Sequence, residues 1–255
     1  MSALISAVEL DTGKVVHVGH LILATIGAWV VGGIVLVIGA VAPIAAQHQP
    51  EHITPTAEKL NESFGADSAQ WVTGFESEGR AIFDKRFEVL DALGLEPGMD
   101  VADIGAGSGL YSRLIAERVG PSGQVFAVDI AANLVNHITE TATAMGLGNV
   151  RAIVGGDKSP RLLEQSVDLV FIADSYHHFE YPGEMLQRIK KALRPDGRLI
   201  LIDWERIEGV SHPFILAMVR AGKAIFIDEF EAAGFEFVEE IPIFTEEYML
   251  EFRHR

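Results

Sequence analysis

The segment from Asp103 to Gly109, DIGAGSG, has the composition of a loop that holds a ligand close to the backbone. Glycine lets the chain turn sharply, and a helix that begins after such a turn offers unpaired N–H groups. The dinucleotide fingerprint would need glycines at 105, 107 and 110, but position 110 is leucine. The third glycine is at 109 instead, and an acid stands two residues before the first. The segment therefore predicts a ligand-binding loop and disfavours a nicotinamide-dependent oxidoreductase.

Two further acids have positions that suit a nucleoside. Asp129 comes 20 residues after Gly109 and is placed to accept hydrogen bonds from vicinal ribose hydroxyls. A carboxylate suits two hydroxyls because it offers two acceptor oxygens. Asp157 follows two glycines, where an acid is able to accept from the exocyclic amine of a purine. The three acids together predict a ligand that contains a nucleoside.

The segment DSYHHFE, residues 174–180, contains the candidates for proton transfer. His177 and His178 are able to take a proton near neutral pH, and Tyr176 precedes them. Adjacent residues that leave a strand point in different directions, so at most one histidine is expected to face an acceptor. We favour His178 as that residue. The alternative is that one of the two rings only caps or packs against the turn.

A metal site made of Asp174, His177, His178 and Asp203 is a further alternative for the same side chains. Their spacing matches no recognised ligand pattern, and the two acids have competing roles. We therefore predict no metal ion. The chain has no cysteine, which excludes a thiolate attack on a pyrimidine ring.

The elements that must position these residues alternate between strands and helices. Apolar runs predict strands at 99–104, 123–130, 150–154, 167–173, 198–203, 235–241 and 248–252, and helices at 109–119, up to about 141, at 184–193 and at 223–233. Such alternation indicates a parallel sheet with helices on both faces. Ligands bind such sheets beyond the carboxyl ends of the strands, which is where the acids and histidines fall.

Before the first strand, apolar residues recur at helical spacing from Phe75 to Leu93, and Gly94 follows as a C-cap. This pattern predicts one long helix that leads into the sheet.

Five segments now identify a resemblance. VADIGAGSG, the acid in VFAVDI, Asp157, VDLVFIADSYHHFE and LRPDGRLILID together closely resemble the class I S-adenosylmethionine-dependent methyltransferases. The resemblance covers about residues 80–255, with the segments in family order and at family spacing. It implies an α/β, Rossmann-like, doubly wound sheet of seven strands, mostly parallel with one antiparallel strand. It also implies that S-adenosyl-L-methionine is the cofactor.

The resemblance implies roles for single residues as well. The methionine moiety and its ammonium group would be held by the glycine-rich loop, Asp129 would bind the ribose, Ile130 would lie against the adenine, and Asp157 would face the adenine amine. Asp174 would begin the segment that touches the methionine end and then the acceptor. The loop residues implied are Asp103, Gly105, Ala106, Gly107 and Gly109.

Residues 21–46 contain no Asp, Glu, Lys, Arg, His, Asn or Gln, which is the composition of a membrane-spanning helix. We favour a retained anchor; a signal peptide cleaved near residue 46 and an unusually apolar core helix are the alternatives. The side of the membrane on which the remaining chain lies stays open, because few basic residues flank the run. Residues 47–68 are predicted to be a linker and residues 69–255 the methyltransferase domain.

The net charge of −16 disfavours nucleic acid as a partner, because an acidic surface repels phosphates. We therefore expect a small-molecule methyl acceptor, and a lipophilic one if it is presented near the membrane. His212, Arg220 and Lys223 suggest a cationic patch for an anionic acceptor, or else ordinary surface charges. Tyr176 and Trp204 are candidates to line the acceptor pocket. The alternative to an enzyme is a non-catalytic module that uses the same fold to bind a ligand or a partner.

Overall fold

Seven strands form one sheet in the order β3-β2-β1-β4-β5-β7-β6 in the computed structural model, which describes residues 68–255. The strands are β1 (Asp100–Ile104), β2 (Gln124–Asp129), β3 (Val150–Val154), β4 (Val167–Ala173), β5 (Leu193–Trp204), β6 (Phe235–Glu240) and β7 (Glu247–His254). Strands β1 to β5 are parallel, and β7 runs antiparallel to both of its neighbours. The predicted seven-stranded sheet with one antiparallel strand is therefore confirmed.

Helices follow the strands as the sequence predicts. They are α1 (Ser68–Phe75), α2 (Ala81–Asp84), α3 (Arg86–Ala92), α4 (Leu110–Val119), α5 (Ala132–Ala144), α6 (Pro182–Ala192), α7 (Pro213–Met218) and α8 (Lys223–Ala232), with a single 3₁₀ turn at Tyr176–His178. The short helix α7 is not among the predicted elements.

Apolar side chains on both faces of the sheet explain why helices cover both. Along β5, Leu199 and Leu201 face the core shared with α6 and α8, whereas Ile200 and Ile202 face the core shared with α3 and α4. This alternation is the period of two that a strand imposes on its side chains. A strand buried on both faces reads as a continuous apolar run, as residues 169–173 of β4 and 199–202 of β5 do.

The prediction of one long helix before β1 is wrong, because the chain forms three short helices there. Gly79 has φ +92, and its N–H donates to Asp84 Oδ2 at 3.1 Å. Arg80 has extended backbone, which ends any helix that approaches it. The predicted cap at Gly94 has φ +53, the conformation that favours glycine after a helix. The break at Gly79 allows the chain before it to turn over the end of the sheet.

The predicted membrane segment at 21–46 and the linker up to residue 67 lie outside the described residues. Within residues 68–255, no helix is both long enough and apolar enough to cross a bilayer. All described residues belong to one compact unit.

Candidate active site

A cleft opens at the carboxyl ends of β1, β2 and β4, on either side of the point where the strand order reverses. This is the position at which sheets of this topology bind ligands. The cleft encloses about 1210 Å³, including the part that is open to solvent. Its walls include the glycine-rich loop, the ends of β2, β3 and β4, and a cover from α1 and α2, which contributes Phe75, Arg80 and Ile82.

The glycine-rich loop needs its glycines for backbone conformation and for space. Gly105 has φ +75, and a Cβ atom at this position would collide with the Ser175 side chain. Its N–H donates to Val128 O at 2.8 Å, which holds the loop against β2. Gly107 has φ +54, and a Cβ there would meet the Phe75 ring at 3.3 Å. The loop is therefore pressed between the end of β4 and the cover, with its backbone facing the cleft.

Asp129, at the end of β2, is fixed by two backbone donors. Its Oδ2 accepts from Gly107 N and its Oδ1 from Ala131 N, both at 2.9 Å. Burial raises the pKa of Asp129, and these N–H bonds oppose the rise. Each carboxylate oxygen has a second lone pair, so the group remains able to accept from a ligand in the cleft. Next to it, Ile130 is 43% exposed, which leaves an apolar surface at the cleft wall.

The first acid of the loop, Asp103, is almost completely buried. It accepts from Ser112 Oγ at 2.6 Å, and this donor lies on α4. Burial raises its pKa to about 7, the Ser112 hydroxyl opposes the rise, and the nearby Asp129 adds to it. Asp157, in contrast, lies at the exposed rim of the cleft after β3. The structure thus brings the predicted acids after β1, β2 and β3 to one cleft, at very different depths.

Asp174 follows β4 in a strained conformation. Its φ of 48 is unusual for a residue with a side chain. Its Oδ2 accepts from Arg80 at 2.7 Å, whereas its Oδ1 is buried with no hydrogen-bond partner within the described part of the chain. Burial raises the pKa of Asp174, and the Arg80 guanidinium opposes the rise. A strained residue with an unsatisfied buried acceptor at a cleft wall is typical of a functional position.

The two histidines face different surroundings, as expected for adjacent residues. His178 lines the cleft, whereas His177 is buried behind it and its Nδ1 lies 2.7 Å from Asp203 Oδ1. Burial and, to a lesser extent, the adjacent His177 together lower the pKa of His178 to about 3. His178 is thus an uncharged imidazole at neutral pH.

Tyr176 and Trp204 do not lie at the cleft. Tyr176 is completely buried and donates its hydroxyl proton to Glu229 at 2.6 Å, while its ring packs edge-on against Phe226. Trp204 packs against the same core. Tyr176 as a catalytic residue, and both aromatics as the lining of an acceptor pocket, are therefore predictions that the structure does not support.

Of the two interpretations of His212, Arg220 and Lys223, the structure agrees with ordinary, ion-paired charges, because Arg220 and Lys223 are neutralised within the protein. Arg220 makes two hydrogen bonds of 2.6 Å to the carboxylate of Glu229. Lys223 lies 2.8 Å from Glu205 and 3.0 Å from Glu240. His212 caps α7 by accepting from Phe214 N. This region therefore presents no cluster of unpaired positive charge to an acceptor.

Within residues 68–255, no group of three or more histidine or acidic side chains is placed to hold a metal ion. Sequence reasoning missed the cover of the cleft. The sequence contains an indication for Arg80, because it is a basic residue directly after a glycine in an acidic chain. Phe75 and Ile82 have no such signal, because the apolar pattern that predicts a core helix also fits a cover.

Comparison with known proteins agrees with this geometry. A family model described as a methyltransferase domain matches residues 95–227, just over half of the chain. Nocamycin O-methyltransferase of Saccharothrix syringae is 33% identical over 46% of this chain and 48% of its own. The ubiquinone/menaquinone biosynthesis C-methyltransferase UbiE of Bordetella avium is 29% identical over 59% of each chain. The chain therefore spans about half the length of the curated relatives it matches.

A solved structure extends the agreement to the fold. The crystal structure of an S-adenosylmethionine-dependent methyltransferase from Aquifex aeolicus matches with a TM-score of 0.65 and 26% identity, over 73% of this chain and 97% of that one. The strand order, the glycine-rich loop and the acid at the end of β2 fit this similarity. The chain belongs to the methyltransferase domain family and has the class I, S-adenosylmethionine-dependent fold.

Proposed function

We propose that this chain transfers the methyl group of S-adenosylmethionine to a small lipophilic molecule that carries an acidic hydroxyl. The observation that carries the proposal is one cleft that contains both the glycine-rich loop with Asp129 and the uncharged His178. The acceptor is proposed to be lipophilic because the cover and the opposite wall contribute Phe75, Ile82 and Phe179. The two curated relatives methylate oxygen and carbon, respectively, by their names. Loss of a phenolic or enolic proton activates either atom, so an acidic hydroxyl is compatible with both.

The residues present fit S-adenosylmethionine. Backbone at Gly105 and Gly107 can approach a ligand because neither residue has a Cβ atom. The unsatisfied Oδ1 of Asp174 is an acceptor for a donor that the protein itself does not supply. Asp129 is fixed in place before any ligand arrives. The residues that would hold the cofactor are Asp103, Gly105, Ala106, Gly107, Gly109, Asp129, Ile130, Asp157 and Asp174.

S-adenosylmethionine supplies, when bound, a methyl group on a sulfonium, an electrophile that needs no further activation by the protein. The protein must therefore align the acceptor and exclude water, and alignment alone can contribute about 7–11 kcal/mol at best. Phe75 and Ile82 close the cleft from the cover side. Arg80 holds the cover to the end of β4 through its ion pair with Asp174.

His178 is the group that would receive the acceptor's proton. An uncharged imidazole has a lone pair with which to accept a hydrogen bond from a hydroxyl in the cleft. Its low pKa makes His178 a weak base, so an acceptor with an acidic hydroxyl suits it better than an alcohol. In this arrangement His178 would orient the acceptor and take its hydroxyl proton, so that the acceptor oxygen or carbon can replace sulfur as the atom bonded to the methyl group.

Calorimetric titration of the full-length chain tests the cofactor site. We expect S-adenosylmethionine and its demethylated product, S-adenosylhomocysteine, both to bind, and Asp129→Ala to weaken each by about 10–100-fold through lost hydrogen bonds to a charged group. Asp196→Ala is the control, since Asp196 is an exposed acid near the start of β5. Failure of both compounds to bind the folded chain would overturn the proposal.

Transfer is then tested with radiolabelled S-adenosylmethionine and a panel of lipophilic phenols and quinols. Labelled product that disappears in His178→Ala, with cofactor affinity retained, is the expected result. Tight cofactor binding without transfer to any member of the panel would instead favour the non-catalytic binding module.

We also propose that residues 21–46 attach the domain to a membrane, as a retained helix or as a signal removed near residue 46. The support is the absence of charged residues from this run. Membrane fractionation with N-terminal sequencing tests it. Full-length chain recovered in the soluble fraction with its N-terminus intact would overturn the proposal.

A further inference from the structure

The buried histidine behind the cleft is held in one orientation by a single carboxylate. His177 Nδ1 lies 2.7 Å from Asp203 Oδ1, and the His177 backbone N–H donates to Asp203 Oδ2 at 3.1 Å. Trp204 N also donates to Oδ1, at 2.8 Å. Asp203 has no exposed surface, and His177 is 2% exposed. Ring and carboxylate therefore form one closed pair with a fixed geometry.

Burial of this pair bears on the charge of His177. A carboxylate out of contact with water needs a counter-charge, because an uncompensated buried ion is very costly. The only side-chain donor to Asp203 in the described part of the chain is the His177 ring. Burial lowers the pKa of His177, but Asp203 outweighs this effect and the net shift is upward. A positive charge on His177 is thus the state that the pair stabilises.

The second histidine lies directly against the first. The ring centroids of His177 and His178 are 4.1 Å apart, and the rings are tilted by 42°. Two positive charges at this separation repel each other, more strongly in a buried site than in water. Of the two rings, His178 is the one that lines the cleft.

We infer that His177 is a positioning residue: paired with Asp203, it carries the positive charge of the two histidines and, together with burial, keeps His178 uncharged at the cleft wall. The assignment rests on the proposed function, in which the cleft receives a cationic sulfonium and an acceptor that must lose a proton. A charged His178 would repel the first and could not take the proton of the second.

The other charges around the pair modulate this division. Asp174, after β4, favours the charge on His177, and Arg220, before α8, opposes it. Asp203 also acts on His178, where its effect is to favour the charged form, but burial and His177 both act in the opposite direction and prevail. Removal of His177 is therefore expected to raise the pKa of His178, since it removes the repelling charge.

Nuclear magnetic resonance of the full-length chain with ¹⁵N-labelled histidine tests the inference without any substrate. His177→Gln and His178→Gln assign the two rings. We expect His177 to keep its proton to a higher pH than an ordinary histidine and His178 to remain neutral between pH 5 and 8. In His177→Gln the His178 ring should gain its proton at a higher pH than in the parent chain. A neutral His177 at pH 7, or a His178 pKa that His177→Gln leaves unchanged, would overturn it.

Asp203→Asn provides a second variant of nearly the same shape. Its amide oxygen can still accept from the His177 ring, but its charge is gone, so His177 should become neutral at pH 7. A purely structural pair would keep its protonation state in this variant.

A pair of ligands that differ in charge connects the inference to the cleft. S-adenosylmethionine carries a sulfonium, and S-adenosylhomocysteine is the uncharged thioether. In the parent chain the ratio of their affinities between pH 8 and pH 5 is the baseline, because Asp103 in the same cleft has a pKa raised to about 7 and contributes to it; each variant is compared with this baseline at the same pH. In His177→Gln the ratio should shift against S-adenosylmethionine at pH 5, in proportion to the charged fraction of His178 measured by resonance. This shift should vanish in the His177→Gln/His178→Gln double variant.

If His178 is charged in His177→Gln and the ratio of affinities still equals that of the parent chain, the proposed role of His177 in the cleft is contradicted. If neither ligand binds the parent chain, the proposed function fails, while the resonance titration still decides the charges.

Discussion

The two polar edges of the cleft satisfy their buried groups in opposite ways. At the glycine-loop edge, formed by residues 103–109 and 129–131, Asp129 has backbone donors on both oxygens and Asp103 has the Ser112 hydroxyl. The histidine edge consists of Asp174, Ser175 and His178 at the cleft wall, and of the buried His177, Asp203 and Glu247, which do not line the cleft. Several of its buried polar atoms lack partners within the described part of the chain. These atoms are Asp174 Oδ1, His177 Nε2, Glu247 Oε1 and Glu247 Oε2.

Under the proposed function, this difference separates the edge that binds the cofactor from the edge that takes part in the chemistry. A buried polar atom without a partner costs about 1–3 kcal/mol, so a protein that retains several in one place gives up stability there. The glycine-loop edge is complete before a ligand arrives, which suits a group that every catalytic cycle must bind in the same way. The histidine edge has buried acceptors and charges that the described part of the chain leaves unpaired. This suits the side of the cleft where charge changes during a reaction.

The largest expected effect is at the glycine-loop edge. Gly105→Ala places a side chain at φ +75 and against Ser175, and we expect the free energy of unfolding to fall by about 2–5 kcal/mol from backbone strain and overpacking together. Urea unfolding of the full-length chain measures this loss, and cofactor affinity should fall with it.

Gly183→Ala is the matched control for that substitution. Gly183 lies in the first turn of α6, has no positive φ, and has no atom within 4 Å of the place that a Cβ would occupy. The variant should leave stability unchanged or slightly raised, because alanine favours a helix. Similar losses in the two variants would show that the glycine-loop edge is not specially constrained.

The glycine-loop edge could be predicted from the sequence because its determinants are local. The glycines, Asp103 and Asp129 lie at strand ends that apolar runs alone locate to within a residue or two. The histidine edge could not, because its partners are distant: Asp203 is 26 residues from His177, and Arg80 is 94 residues from Asp174. Sequence alone left open which histidine faces the cleft, and Glu247 had no signal at all.

The same distinction explains the errors in the elements. Strands β3 and β4 match their predicted bounds, since each is a mostly apolar run in which a single charged residue follows the first valine. The region before β1 was predicted as one helix, because apolar spacing does not reveal that Gly79 adopts a positive φ. The helical spacing of apolar residues indicates which residues are buried. The break at Gly79 depends instead on its backbone conformation and on the contact of its N–H with Asp84.

An intermediate effect is expected at the histidine edge. Glu247 tests whether a buried carboxyl group there lacks a partner and therefore costs stability when it ionises. Burial raises the pKa of Glu247 to about 8, and Asp174 adds to the rise. Between pH 4.5 and 8 the folded chain therefore keeps a proton that the unfolded chain has lost, so stability falls as the pH rises through this range. Glu247→Gln cannot ionise and should be the more stable protein at pH 9, by on the order of 2–4 kcal/mol, and nearly equal to the parent at pH 4.5.

Urea unfolding at pH 4.5 and pH 9 measures that gap. Glu236→Gln, at an exposed acid on β6, is the control, and its stability difference from the parent should change far less between the two pH values than that of Glu247→Gln. If the difference in unfolding free energy between Glu247→Gln and the parent is the same at both pH values, Glu247 is paired in solution. The contrast between the two edges would then lose its main support.

The smallest effect distinguishes a functional ion pair from a surface one. Arg80–Asp174 and Arg118–Asp91 have nearly equal lengths, 2.7 and 2.8 Å, but the first is half-buried and the second exposed. Arg80→Ala leaves a buried carboxylate without its counter-charge, so we expect a loss of about 1–2 kcal/mol in unfolding free energy, whereas Arg118→Ala should cost at most about 0.5 kcal/mol. Added salt should weaken the Arg118 pair further and leave the Arg80 effect largely intact, because screening acts mainly on exposed charges. Equal losses of unfolding free energy in the two variants would show that the Arg80–Asp174 ion pair stabilises the protein no more than a surface pair does. Another interaction would then have to hold the cover over the cleft.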